Sequence, residues 1–203
     1  MRYVITLFLT IGLALSSFSK SNEIGKDIDV NHYEIHLNEF NITEKSLDAS
    51  TTITFTAMNA IDFIELELKS LNVSSVTSDD INVKDFSQND DILKINFAST
   101  LSADSKISLT IDYNGKTFNE QWGGIHWSND YVYNLGVGFD SKPHNLGKTW
   151  FPCVDNFTDK ASYDLYLTIP EDMTSSCGGL LNASTNNNDG TKTDHWAVSQ
   201  EIA

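Results

Sequence analysis

Cysteine is scarce. Cys153 and Cys177 are the only two in 203 residues. Two thiols exclude a disulfide-rich scaffold and a four-cysteine zinc site. Positive charge is scarce as well. Thirteen Lys and Arg stand against 28 Asp and Glu, a formal net charge of −15. A surface of that sign repels nucleic acid and anionic membranes, so neither is expected as a partner. No apolar run is long enough to cross a bilayer. The longest, Val4 to Leu15, would span about 18 Å as a helix, against a hydrocarbon core of about 30 Å. No Gly-Lys-Ser/Thr follows a glycine-rich turn, which excludes a phosphate loop. None of the five histidines is followed by Glu, which excludes a His-Glu-x-x-His zinc helix within this chain. No Asp-x-Asp-x-Asp calcium loop occurs.

The apolar run near the N-terminus has its own logic. Arg2 supplies a short positive region, and Ser17-Phe18-Ser19 follows as a small-x-small cleavage site. This pattern predicts a secretory signal peptide over residues 1–19, a flexible tail over 20–27, and a folded domain over 28–203. The mature protein is therefore expected to be exported, to the periplasm or the extracellular space. No cysteine follows the run to carry a lipid, so no membrane anchor is expected.

Beyond residue 28 the dominant period is two. Tyr33, Ile35 and Leu37 alternate with Glu34, His36 and Asn38. Leu47 to Ala57, Ile64 to Leu68, Leu93 to Phe97, Ile107 to Tyr113 and Tyr163 to Ile169 do the same. Successive strand side chains point to opposite faces, so each run has one wet and one dry side. The pattern predicts an all-β, saddle-like single domain of mixed and antiparallel sheets, with almost no helix. Asn114-Gly115 and Asp189-Gly190 read as tight turns. From Trp122 to Gly147 the chain is glycine-rich, aromatic and poorly alternating, which predicts a long irregular functional loop. Thr193 to Ala203 reads as a strand that stops in mid-course. A domain truncated at its C-terminal end is the expectation.

The residue types that carry chemistry are sparse. His32 and His36 lie on one strand face, about 13 Å apart along it, too far to share a metal. No Ser, Cys or Lys sits in a nucleophile motif. Cys153, beside Phe151 and Pro152, reads as a small buried hydrophobe, because a reactive thiol needs positive neighbours. A Cys153–Cys177 disulfide stays open. The sequons at Asn41, Asn72, Asn156 and Asn182 matter only in a eukaryotic secretory pathway. The aromatic loop residues Trp122, Trp127, Tyr131 and Tyr133 could form a platform for a sugar or a protein. A non-catalytic binding module is therefore the alternative reading.

One block is more specific. Residues 148–170 read KTWFPCVDNFTDKASYDLYLTIP. Phe151, Pro152, Cys153, Asp155, Lys160 and Ala161 fall in a Phe-Pro-Cys-x-Asp-x-x-x-x-Lys-Ala register before an alternating strand that ends in Pro. This resembles the N-terminal domain of the aminopeptidase N family of zinc metallopeptidases, which includes leukotriene hydrolase. Asp29-Val30-Asn31-His32-Tyr33-x-Ile35 resembles the family's first strand, and Gly123-Gly124 and Asp189-Gly190-Thr191 follow in order. The resemblance covers roughly residues 28 to 203.

The resemblance implies a lid over the substrate cleft of an exported aminopeptidase that removes N-terminal residues from peptides. The partner would be a thermolysin-like catalytic domain of the same parent chain. That domain, outside these residues, would hold the zinc. The signature residues from Phe151 to Ala161 are read as structural, with Asp155 and Lys160 capping or pairing across the turn before Tyr163. This piece alone is expected to hold neither metal nor catalytic residues. The family's amine-gripping Gln or Glu falls, in register, on Pro143, which cannot grip an amine. Lys148 stands where Arg is common. Asp140 is the substrate-binding candidate, with the loop shifted to bring its charge into place.

Overall fold

The computed structural model describes residues 24–129 and 131–203. The expected signal peptide, and residues 20–23 of the expected tail, lie outside them. The elements in chain order are β1 (Ile28–Asn41), β2 (Ser46–Ala57), β3 (Ile61–Glu67), β4 (Asn72–Thr77), β5 (Val83–Asn89), β6 (Ile92–Leu101) and β7 (Lys106–Lys116). Then come β8 (Asn119–Glu120), β9 (Gly123–Ser128), β10 (Tyr131–Leu135), a 3-10 turn (Gly147–Thr149), β11 (Ala161–Pro170), β12 (Leu180–Asn186) and β13 (Thr191–Ile202). That turn is the only helical piece among the described residues.

Seven strands form one mixed sheet in the order β12-β13-β11-β1-β2-β7-β4, and two antiparallel sheets have the orders β3-β6-β5 and β10-β9-β8. The pairing of β1 with β11 is parallel. Alternation explains the layering. On β2, Leu47, Ala49, Ile53, Phe55 and Ala57 point inward and are buried. Thr51 shares that inner face, and the alternate residues point outward, where the Thr52 and Thr54 hydroxyls pair with Thr110 and Ser108 on β7, each at 2.9 Å. Leu66, Leu93 and Ile95 from the β3-β6-β5 sheet join Ile53, Phe55 and Leu109 in one apolar cluster. Each such side chain contributes about 1.5–3 kcal/mol on burial.

Two expectations are corrected. Asn114-Gly115 is not a turn. Both residues lie within β7, and Gly115 pairs with Leu47 at φ 139°. A Cβ there would press on Asn72 at 3.2 Å, so glycine serves a close strand approach. The stretch from Trp122 to Gly147 is not wholly irregular either. β9 and β10 form a hairpin within it, turning at Asn129 with φ 51°. Neither strand alternates cleanly in burial, so a period of two never shows. Residues 24–27 form a turn ahead of β1. The Ile28 N–H donates to the Gly25 carbonyl at 3.0 Å, and the Asp27 carbonyl accepts from Met58 at 2.8 Å. Asp189-Gly190 does turn the chain from β12 to β13, with Gly190 at φ 90°.

Candidate functional site

What remains irregular runs from Gly136 to Leu146, and Glu120 organises it. The Glu120 carboxylate accepts from the Asp140 N–H at 2.9 Å, the Ser141 N–H at 2.9 Å and the Ser141 hydroxyl at 2.5 Å. The Ser141 hydroxyl, then the backbone donors, overcome the small cost of burial and hold this carboxyl below the usual glutamate range. The loop closes on itself as well. The Gly138 N–H donates to the His144 carbonyl at 2.7 Å, and the Leu146 N–H to the Gly136 carbonyl at 2.9 Å. A Cβ on Gly138 would run into Glu120 Oε1, so only glycine passes there. Asp140 is exposed at the bend, and among the described residues its carboxylate has no hydrogen-bond partner. The loop thus presents a fixed backbone with a free negative charge. Phe139 beside it is 73% exposed.

The second group is the Phe-Pro-Cys block, which is pinned to both sheets. Cys153 exchanges two backbone bonds with Glu67 of β3, at 3.0 and 2.8 Å. The Val154 N–H donates to the Tyr33 hydroxyl of β1 at 3.1 Å. The Tyr113 hydroxyl of β7 donates to the Trp150 carbonyl at 3.0 Å and shares a bond with Thr51. Burial pushes both tyrosines up. Phe151 meets the Tyr33 ring edge-on at 5.2 Å. Pro152 and Ala161 are buried, Ala161 opening β11. Cys153 is a free, buried thiol whose pKa is raised by desolvation, and then by Asp155 and Glu67. Cys177 is free and half-buried.

Asp155 pairs with Lys148. The Lys148 ammonium sits 2.6 Å from Glu67 Oε1 and 3.5 Å from Asp155 Oδ2. Burial works against that charge, but Glu67 and Asp155 outweigh it, so the ammonium is held above the usual lysine range. Asp155 Oδ1 also caps the 3-10 turn by accepting from the Gly147 N–H at 3.1 Å. Lys160 is exposed and makes no ion pair among the described residues, so the expected Asp155–Lys160 pairing is replaced by Asp155–Lys148. Glu120, Tyr33, Tyr113 and Glu67 carried no sequence signal of these roles, because each partner lies far along the chain. For Glu120 the separation from Ser141 is 21 residues.

His32 and His36 are engaged on the outer sheet face, His32 with Ser162 and Asp164, His36 with Glu34. Among the described residues, no three His, Cys, Asp or Glu side chains are placed to hold a metal ion. The donor set described here therefore does not fit a zinc ion.

Several known proteins share this architecture. A variant M1 zinc metallopeptidase from Deinococcus radiodurans, solved with a Tyr-Ser-Ala substrate, superposes with a TM-score of 0.75 at 23% identity, over 87% of this chain and 40% of that one. A two-domain M1 zinc metallopeptidase bound to L-arginine gives 0.75 at 23%, over 88% and 41%. At that identity the likeness is one of fold. A 59-residue stretch is 39% identical to transcription initiation factor TFIID subunit 2 of Drosophila melanogaster, 29% of this chain and 5% of that protein. The chain thus spans well under half the length of each of these proteins. The domain model for the peptidase M1 N-terminal domain matches residues 29–203, and the chain belongs to that family.

Proposed function

We propose that this domain is the N-terminal lid of an exported zinc metalloaminopeptidase, acting on peptides together with a thermolysin-like catalytic domain outside these residues. The observation that carries this reading is the family match across residues 29–203. The part assigned to this chain is positioning. The loop from Gly136 to Leu146, held by Glu120, lines the substrate cleft, and Asp140 meets the peptide's free ammonium group. A carboxylate whose backbone is already fixed binds a cation without a further ordering cost. The zinc belongs to the other domain, and no step at the metal falls to residues of this one. Residues 24–203 alone are expected to hydrolyse nothing and to bind no stoichiometric zinc.

The test is an assay of the full-length gene product on aminoacyl-nitroanilides and short peptides. Chelator-sensitive release of N-terminal residues, from a protein recovered outside the cytoplasm, supports the reading. A full-length product with no such activity sinks it. That outcome would favour a non-catalytic binding module. The relation to a transcription factor subunit and the exposure of Trp122 and Tyr131, at 58% and 73%, speak for that second reading. Trp127 would not take part in such a platform. Its indole N–H is committed to Thr117 at 2.8 Å, and its ring packs against the core.

A further inference from the structure

Six strands lie at sheet edges: β12 and β4, β10 and β8, β3 and β5. An open edge offers unpaired N–H and C=O groups to any extended chain, and five of these six are guarded. The pairing of β12, β4 and β5 is interrupted in each case by a register shift. The Gln88 carboxamide also takes the Val73 N–H of β4 at 3.1 Å, and Lys84 and Asp85 put charge on β5. β3 is paired at Glu67 by Cys153, and β8 has only two residues. β10 has none of these protections. It reads Tyr-Val-Tyr-Asn-Leu, without charge or proline, and pairs with β9 over all five residues without a shift.

The hydrogen bonds around β10 define which of its groups are open. The Ile125 N–H of β9 donates to the Phe118 carbonyl at 2.9 Å, away from β10. Ile125 and Asn134 are therefore a pair without mutual hydrogen bonds, and Asn134 turns its backbone N–H and C=O away from β9. Val132, opposite Trp127, does the same. Gly136, two residues beyond Asn134, has its carbonyl on that side, where it accepts from the Leu146 N–H at 2.9 Å. Residues 144–146 thus begin an added strand that stops short of Asn134. Past that point the Val132 and Asn134 backbone groups have no partner among the described residues. Tyr131 and Tyr133 flank the edge, 73% and 48% exposed, and the His126 imidazole stacks on the Tyr133 ring at 5.2 Å.

We propose that the open edge of β10 binds an extended peptide as an added antiparallel strand, continuing the line of residues 144–146. Asn145 pairs antiparallel with Val137, so a peptide in that line points its amino end toward the Gly136–Leu146 loop. Its backbone pairs with Val132 and Asn134, and an apolar or aromatic side chain packs on Tyr131 or Tyr133. The chain's net charge of −15 favours neutral or basic peptides and opposes a second copy of itself at this edge. That the peptide is also a substrate rests on the aminopeptidase reading, whereas the pairing itself does not.

The probe is a capped hexapeptide, acetyl-Lys-Val-Tyr-Val-Thr-Lys-amide, added to the full-length protein. It carries no α-ammonium group for Asp140 and no free N-terminal residue to release. Only alternate N–H groups of an added strand face β10. Methylating those, one at a time, should weaken binding by roughly 2- to 12-fold, while methylating the ones between leaves it unchanged. Asn134→Pro, which an edge strand tolerates where its N–H faces solvent, should weaken the unmethylated probe similarly and leave the circular dichroism unchanged. No saturable binding, or losses that ignore the alternation, overturns the proposal. So does a dimer that Asn134→Pro dissociates, since a second copy then holds the edge. The two readings fail separately. Alternating losses in a protein without peptidase activity keep the edge and remove the substrate. A chelator-sensitive aminopeptidase without that alternation removes the edge alone.

Discussion

Lys148 and Glu67 are 81 residues apart in the chain and 2.6 Å apart in space, Lys148 buried and Glu67 half-buried. With Asp155 on its other side, this one cation lies between two largely buried carboxylates, offsets one of their two charges, and fastens the Phe-Pro-Cys block to β3. Removing it takes the group from a net charge of −1 to −2 and leaves both carboxylates without a counter-ion. Lys148→Met should cost about 3–5 kcal/mol of stability. Lys160→Met, at an exposed position without an ion pair, should stay within about 0.5 kcal/mol of wild type. Urea unfolding of both variants decides it, and equal losses would show that the block does not depend on this pair.

Glu120 should govern the order of the Gly136–Leu146 loop. Glu120→Ala removes the acceptor for the Asp140 and Ser141 amides, so hydrogen exchange at those two positions should rise sharply while β7 stays protected. The pH course follows from the sign of the shift. A carboxyl held below its ordinary value of 4.5 contributes order that is present above that value, and loses it as pH falls through the lower folded value. Exchange at both amides should therefore remain slow at pH 4.5. Acceleration already at pH 5 would show that Glu120 is not the anchor.

Asp159 should act in the opposite sense. Burial, against the helping Val30 N–H, pushes it up to about 6 from 3.8. The unfolded chain ionises first, so stability from this group is complete at acid pH and is lost as pH rises through 6. Asp159→Asn keeps an acceptor for Val30 and carries no charge. It should match wild type near pH 3 and exceed it at pH 7.5 by about 1–2 kcal/mol, the site being half-open to solvent. A stability difference that does not change with pH would contradict this.

Asp140→Ala is the functional counterpart. If the full-length protein is the aminopeptidase proposed above, this variant should weaken peptide use by roughly 10- to 150-fold, the loss of one charge-assisted contact of about 1.5–3 kcal/mol. The effect should be largest for peptides with a free N-terminus and small for N-acetylated ones. Wild-type turnover by this variant would move the ammonium contact elsewhere.

The strands were legible because their chemistry is local. Ile53 and Phe55 announce an inner face, and Thr52 and Thr54 an outer one, within four residues. The hairpin of β9 and β10 was hidden because its side chains do not sort into wet and dry rows. The grip of Glu120 on Ser141, of Lys148 on Glu67 and of Tyr33 on Val154 was illegible for a different reason. Each is a contact between residues that only the sheet order brings together, and no spacing along the chain encodes it. Family likeness supplied the position of the Phe-Pro-Cys block; the expectation that Asp155 and Lys160 cap or pair across the turn holds for the cap Asp155 gives Gly147, whereas its ion pair is with Lys148.

The parallel pairing of β1 with β11 also sets a timetable for the growing chain. Tyr33 waits for Tyr163, and His36 for Tyr166, about 130 residues later. Until β11 has emerged, the β1-β2-β7-β4 half of the sheet has an unpaired edge along β1, with Tyr33 and Ile35 beside it. Long-range pairings of this kind form slowly, and open edges invite other chains. A ribosome that holds β11 back therefore also holds β1 exposed, and chaperone capture of nascent chains should fall away once residue 170 is free to fold.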